Sequence, residues 1–273
     1  MNLPDFYRPQ VMAIVNATPD SFYSASRTDD ADSLERRIAD VVAQGATIID
    51  IGGYSSRPGA DDVPLEEEWR RVDLAVGVAR RVAPQTVVSV DTFRSEVVRR
   101  TVEKYGRIIV NDITAGEGDE QMIATVARFD LPYIAMHMRG TVQTMQNKTE
   151  YSDVVAEVTD YLATKVAELE QNGVRRENII LDPGFGFAKS VEQNYALLAG
   201  LSSVVELGYP VLVGLSRKSM IYKVLSSAAE EVLAGTVALN WEALRQGATI
   251  IRVHDVAEAV QIVNVYDKGF RGL

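Results

Sequence analysis

A closed barrel of eight parallel strands and surrounding helices, the α/β class known as the (β/α)8 or TIM barrel, is the fold predicted for this 273-residue chain. Three features predict it. One module recurs from end to end: a glycine, an apolar β-branched run, then a polar residue. Each run is continuous rather than alternating, as a strand covered on both faces requires. Between the runs lie amphipathic stretches of helical period, and strands alternating with helices demand parallel pairing through right-handed crossovers.

The elements follow in order. VMAIVNAT from Val11 is the first strand, and Leu34-ERRIADVVAQ the helix after it. Gly45-ATIIDIGG leads to a second strand and the helical stretch from Trp69. TVVSVDT from Thr86 is the third strand, with Thr92 placed to cap the next helix. Gly106-RIIVNDI and LPYIAMHM from Leu131 are the fourth and fifth, followed by a long amphipathic stretch from Val154. Gly173-VRRENIILDPG is the sixth, and Ser190-Val-Glu-Gln193 after it has the spacing of a capping box. Gly208-YPVLVGLS and Gly247-ATIIRVHD complete the eight, with Asp255 as a further cap. A leading glycine fits a left-handed residue that ends a helix before the strand begins.

A doubly wound open sheet would need a glycine-rich first turn, but the first strand runs into Asn16-Ala-Thr-Pro-Asp20. With no Ser/Gly-rich spacer or charge block, residues 1–273 read as one barrel domain. Lys and Arg number 28 against 38 Asp and Glu, a net charge of −10 that argues against a nucleic-acid partner. With no cysteine, disulfides, thiolate zinc sites and thiol nucleophiles are excluded. Residues 1–10 lack the basic start and apolar run of a signal peptide, and no apolar stretch approaches ~18 residues. The expectation is a cytoplasmic protein with no membrane contact.

In such a barrel, chemistry collects where the strands end, because the loops there converge on one mouth. The eight runs end in Asn16, Asp50, Asp91, Asn111-Asp112, His137, Asp182, Ser216-Arg217-Lys218, and Arg252 with His254-Asp255. Any one Asp or Asn could be a cap or a turn residue, but a polar group at every strand end points to function. No H-x-H occurs at the first strand, so a histidine-built transition-metal site is the lesser reading. Mg²⁺ held through Asn16 and substrate oxygens suits these oxygen-rich ends better.

Basic groups at the mouth of an acidic protein predict an anionic ligand, and Arg57, Lys218 and Arg252 fall there. The turn Ser216-Arg217-Lys218-Ser219 precedes a short helix whose free N–H groups could hold a carboxylate or phosphate, or it is a solvated turn. Asp182-Pro-Gly-Phe-Gly-Phe-Ala-Lys189 is not a P-loop, since Ala188 stands where glycine is required. Phe185 and Phe187 could wall a planar aromatic ligand, or pack on the loop's own neighbours.

Taken together, Asn16-ATPDSF, Asp50-IGGYSSRPGA, Val90-Asp91-Thr92, Asn111-Asp112-Ile113, Met136-His-Met-Arg-Gly, Leu181-DPGFGFAK, Gly214-LSRKSMI and Arg252-VHD resemble the dihydropteroate synthase family over nearly the whole chain. The resemblance implies condensation of 7,8-dihydropterin-6-ylmethyl diphosphate with p-aminobenzoate, releasing diphosphate, in folate synthesis. It implies that Asp91, Asn111, Asp182 and Lys218 hold the pterin. It assigns Asn16, Arg57, Arg252 and His254 to diphosphate and Mg²⁺, and Ser56, Pro58, Phe187 and Ser219 to p-aminobenzoate. Asp50 matches a carboxylate near the diphosphate.

The implied reaction is dissociative, with Arg252, His254, Asp50 and Lys218 as the catalytic set and no protein nucleophile. A homodimer through the later helices is also implied, with Val224-Leu225 and Val232-Leu233 as apolar contributors, and so is sulfonamide binding. Departures from the family pattern are Tyr54 for Glu and Ser56 for Thr in the second loop. The first loop reads Tyr23-Ser24-Ala25-Ser26 in place of a glycine pair, and Ala188 and Tyr222 replace glycines. Three alternatives stand beside this reading, the most distant a Schiff-base aldolase using Lys218. A pterin-dependent methyltransferase would need neither the Ser-Arg-Lys-Ser turn nor the Arg-x-His-Asp end, and a non-catalytic pterin-binding paralogue would draw support only from the altered second loop.

Overall fold

Each of the eight apolar runs is a strand buried on both faces, and together they make a ring. A computed structural model describes residues 3–17, 27–54 and 62–270. The strands are β1 (Gln10–Asn16), β2 (Ile48–Gly52), β3 (Val87–Asp91), β4 (Ile109–Asp112), β5 (Tyr133–Met136), β6 (Ile179–Asp182), β7 (Leu212–Val213) and β8 (Ile250–Val253). They pair in parallel in the order β6-β5-β4-β3-β2-β1-β8-β7. A bridge from Leu181 to Val211, with Leu181 N donating to Pro210 O at 2.9 Å, closes the ring between β6 and β7. The predicted (β/α)8 barrel is the observed fold.

Helices cover the outside: α1 (Arg27–Ala43), α2 (Leu65–Val82), α3 (Ser95–Tyr105), α4 (Met122–Phe129), α5 (Val154–Gln171), α6 (Val191–Ala199), α7 (Leu201–Val205), α8 (Ser219–Leu225), α9 (Leu233–Arg245) and α10 (Val256–Gly269). The glycines that lead the repeated module (Gly45, Gly106, Gly173, Gly208 and Gly247) all take positive φ, from 79° to 101°. The capping box at Ser190 and Gln193 forms as expected. Two expected caps do not. Arg94, not Thr92, occupies the N-cap of α3, and the first amide of that helix is held by Asp119 Oδ2 at 2.8 Å. Asp255 sits at the N-cap of α10, but Arg217 engages its carboxylate, so it caps nothing.

The interior decides where the chemistry goes. Met12, Ile48, Val87, Ile109, Ile134, Ile180, Leu212 and Ile250, one from each strand, form a single layer inside the barrel, closed off by Phe6. Their chain neighbours Ile49, Val88, Val110, Tyr133, Ile179, Val211 and Ile251 pack instead in the cluster shared with the helices. Side chains two residues apart on a strand share a face. Asp50, Asn111, Asp182 and Arg252 each stand two residues beyond a member of the inner layer, so they form the next layer towards the mouth. Asn16 and Asp91, four residues beyond, lie one layer further. Full burial of an aliphatic side chain contributes about 1.5–3 kcal/mol, so this polar tier rests on a firm apolar floor.

Candidate active site

Arg252 is the hub of the inner polar tier. Its Nε donates to Asp50 Oδ2 at 2.6 Å and its Nη2 to Asp91 Oδ2 at 2.9 Å, so one planar fork joins β8 to β2 and β3. Asn111 Nδ2 donates to the same Asp50 oxygen at 3.1 Å. Asp50 is fully buried and its other oxygen, Oδ1, has no protein partner. Burial pushes the Asp91 carboxyl well up, Arg252 pulls it back, and the charges of Asp50, Glu68 and Asp112 push it up again. Asp50, expected near the diphosphate, sits in the buried network of Arg252, Asn111 and Asp91.

The second part of the tier is Asp182 with Lys218. Burial raises the Asp182 carboxyl, and Lys218 is the largest influence holding it down. Asp182 Oδ1 accepts from Gly184 N at 2.7 Å, which leaves its other oxygen for a ligand. Lys218, brought down to about 8 by burial, donates to Phe185 O and stands 4.8 Å from the centre of the Phe187 ring. Phe187 packs beside Met136, Met138 and Met145 in a small apolar cluster at the mouth. Phe185 was a candidate for the same wall, but it is wholly buried in the outer core, so Phe187 alone offers its ring.

The third part is the cationic side. Ser216 Oγ lies 3.1 Å from His254 Nδ1 and accepts from His254 N at 3.2 Å. Burial, reinforced by Arg252, brings the imidazole down to about 4, so it is neutral near pH 7 and acts as a dipole rather than a cation. Arg217 turns away to pair with Asp255 at 2.6 Å. Ser219, half-buried, begins α8 as expected. Asn16 ends β1, half-buried.

Two strand-end residues are not in this tier. Asp112 and His137 stand three residues beyond the inner layer and so face the helices. Asp112 accepts from Tyr133 Oη at 2.7 Å, Thr114 N at 2.8 Å and Gly116 N at 2.9 Å, and so organises a turn. His137 Nδ1 meets Lys189 Nζ at 3.0 Å. The two histidines therefore do not share a site, and no cluster of three or more metal-ligating His, Cys, Asp or Glu occurs among the described residues. Ser56, Arg57, Pro58 and Tyr23-Ser24-Ala25-Ser26 lie outside the described residues.

The structure also adds residues the sequence reading passed over. Lys189 is buried and donates to Gly184 O at 2.9 Å and Phe187 O at 3.0 Å, tying down the loop after β6. Glu68 is buried behind Asp91, accepting from Thr92 Oγ1 at 2.6 Å and Arg94 Nη1 at 2.7 Å. Its place on the apolar stripe with Val72, Ala75 and Val76 was a readable signal, since an acid there must find a partner. Tyr54, the departure from the family pattern, stacks edge-on against Phe93 and donates to Asp62 Oδ1 at 3.1 Å, bridging the described ends of the second loop.

Comparison with known proteins gives a consistent set of relatives. The pterin binding enzyme family matches residues 12–254. The dihydropteroate synthase of Escherichia coli (strain K12) is 42% identical over 264 residues, 96% of this chain and 92% of the relative. The structure of Xanthomonas albilineans dihydropteroate synthase with 4-aminobenzoic acid superposes with a TM-score of 0.87 at 39% identity, over 96% of this chain and 93% of the other. Yersinia pestis dihydropteroate synthase in a sulfonamide drug complex gives a TM-score of 0.87 at 36% identity, over 97% and 95%.

Proposed function

The chain belongs to the pterin-binding enzymes, in their dihydropteroate synthase branch, and from that premise we infer how its barrel mouth makes dihydropteroate from 7,8-dihydropterin-6-ylmethyl diphosphate and p-aminobenzoate. One observation carries the reading: Arg252 fastened to Asp50 and Asp91 in the same inner tier as Asn111, Asp182 and Lys218. A pterin presents a paired N–H edge, and the Asp182 oxygen not used by Gly184 suits it. Asn111 and Asp91 supply further polar contacts, and Lys218 donates from the opposite side. A buried polar site of this kind rejects ligands that leave its groups unpaired.

The diphosphate belongs on the cationic side, with Arg252, His254 and Arg57. Arg252 carries the charge and His254 donates as a neutral ring. The bond from the pterin methylene to the diphosphate oxygen breaks first. The electron pair leaves with diphosphate, and the arylamine nitrogen of p-aminobenzoate then attacks the cationic methylene and sheds a proton. No side chain acts as a nucleophile. Removing one donor aimed at developing charge typically costs ~3 kcal/mol of barrier. Phe187 lies against the aminobenzoate ring and Ser219 near its carboxylate; the family resemblance assigns Ser56 and Pro58, which lie outside the described residues, to the same acid. Sulfonamides, which resemble this acid in shape, would compete there.

Asn16 offers one hard amide oxygen at the end of β1, and there is no carboxylate cluster among the described residues. That donor set suits Mg²⁺ bound mainly by diphosphate oxygens and water, with Asn16 as its protein ligand. When bound, the ion would neutralise charge on the diphosphate. We also place the protein in the cytoplasm as a homodimer: Val224 and Leu225 on α8, and Val265 and Phe270 at α10, are about half exposed. Val232 was an expected contributor to that face but is wholly buried in the core. No described helix is long and apolar enough to cross a membrane.

The test is a coupled assay for diphosphate, run with and without Mg²⁺ and with and without p-aminobenzoate. Sustained turnover that requires both supports the reading. Tight binding of the pterin diphosphate without turnover, or methyl transfer from methyltetrahydrofolate instead, overturns it.

A further inference from the structure

Ser216 and His254 are bound to one another twice, and the pattern leaves only one arrangement of protons. The backbone N–H of His254 donates into Ser216 Oγ at 3.2 Å. The same Oγ lies 3.1 Å from His254 Nδ1, and Ser216 is almost fully buried. A serine hydroxyl has a single proton to give. Among the described residues Nδ1 is the only acceptor within hydrogen-bond distance of this hydroxyl. If Nδ1 carried a proton, the hydroxyl would accept twice and its own proton would be left buried without a partner, at a cost comparable to a lost hydrogen bond. The ring's low proton affinity excludes the doubly protonated form near neutrality.

We propose that Ser216 is a positioning residue that selects the Nε2–H tautomer of His254, so that the ring offers an N–H donor, not an acceptor, to the departing diphosphate. The backbone arranges this economically. Ser216 follows β7 and His254 follows β8, each four residues beyond its own strand's member of the inner layer, Leu212 and Ile250. Arg37 Nη2 donates to His254 O at 3.1 Å and fixes the peptide that carries the ring. His254 Nε2 makes no hydrogen bond to a described residue. A ring with a bare Nε2 would present a lone pair to an anionic oxygen and repel it, so the tautomer determines whether the group assists departure or opposes it. The second half of the proposal rests on the assignment of His254 to the diphosphate side.

The experiment uses long-range ¹H–¹⁵N spectra of the full-length ¹⁵N-labelled protein. The chain has two histidines, and the His254 signals are assigned by their loss in His254→Gln. The expected wild-type pattern is a pyrrole-type nitrogen at Nε2 and a pyridine-type nitrogen at Nδ1. Ser216→Ala should convert it to a mixed-tautomer pattern and lower kcat for diphosphate release in proportion to the lost Nε2–H population, about twofold for an even mixture, with KM for p-aminobenzoate unchanged. Ser216→Thr, which keeps the hydroxyl, should restore both. A protonated Nδ1 in the wild type, or an unaltered pattern in Ser216→Ala, overturns the proposal. A shifted pattern with full kcat overturns its functional half. The diphosphate-side assignment has its own check: unchanged turnover in His254→Gln would defeat that reading while leaving the tautomer result standing.

Discussion

Arg252 on β8 and Asp50 on β2 meet at 2.6 Å although they are 202 residues apart in sequence, with β1 running between their strands. The contact is the keystone of the inner polar tier, because Nη2 of the same guanidinium holds Asp91.

Arg252→Met should therefore do more than slow turnover. It leaves Asp50 and Asp91 buried without their cation, which typically costs ~3–5 kcal/mol. A lower melting temperature together with lost diphosphate release is the expected result. Adding Asp50→Asn should recover part of the stability, since one uncompensated charge is then removed. Denaturant titration of the single and double variants measures this, and equal stability of Arg252→Met and wild type would contradict it.

Lys218 sets a pH dependence. Its amine falls to about 8 in the folded protein because burial disfavours the charge, with Asp182 opposing the shift. An unfolded lysine keeps its proton to ~10.4. Below pH 8 both states are protonated and the folded state bears the full cost of the buried charge. Between about 8 and ~10.4 the unfolded chain binds more protons, so stability contributed at this position rises with pH. The melting temperature of wild type minus that of Lys218→Met should increase from pH 7 to pH 10. A flat difference would show that Lys218 is not shifted.

Gly184 bears the tightest backbone approach in the loop that carries Asp182. Its φ is +71°, and a Cβ there would fall 2.0 Å from His137 O. Gly184→Ala should displace the β5 and β6 ends together and release the Gly184 N–H from Asp182. We expect loss of pterin binding by calorimetry and destabilisation of more than ~2 kcal/mol. Ala188 takes φ 50° in the same loop where the family pattern has glycine, so there a left-handed residue does carry a side chain.

Lys189 acts on p-aminobenzoate at one remove. Burial brings its amine down to about 7, and it donates to Gly184 O and Phe187 O and meets His137 Nδ1 at 3.0 Å. Lys189→Met keeps the length of the stem but frees the loop, and Phe187 with it. KM for p-aminobenzoate should rise several-fold, with stability lower by ~1–3 kcal/mol from the buried acceptors left unpaired. A variant with unchanged KM would mean that the loop holds Phe187 without this tie.

Much of this was legible in the amino-acid order. Eight continuous apolar runs, glycines at helix ends and the capping box at Ser190 lie in local chain physics, where each residue's preference is satisfied by its immediate neighbours. The polar residue ending each run was equally visible, and the family resemblance named the pterin acids among them. What the pattern of strand ends, without the resemblance, did not separate was Asp50, Asn111, Asp182 and Arg252 from Asp112 and His137, since all six end strands. Their separation needed the register of each strand against the inner apolar layer, because a shift of one residue turns a side chain from the cavity to the helices. Thr92 and Asp255 failed as caps for a related reason: Glu68 and Arg217, distant in sequence, took their polar groups.

The chain alone thus determined the barrel and the kinds of residue at its mouth, for strand and helix propensities are local and repeat with the module. Only the closed ring decided which of those residues meet. The fork of Arg252 between two acids, the Ser216–His254 pair and the Lys189–His137 contact all join segments whose proximity comes from packing around the ring. No sequence spacing encodes a distance across a barrel.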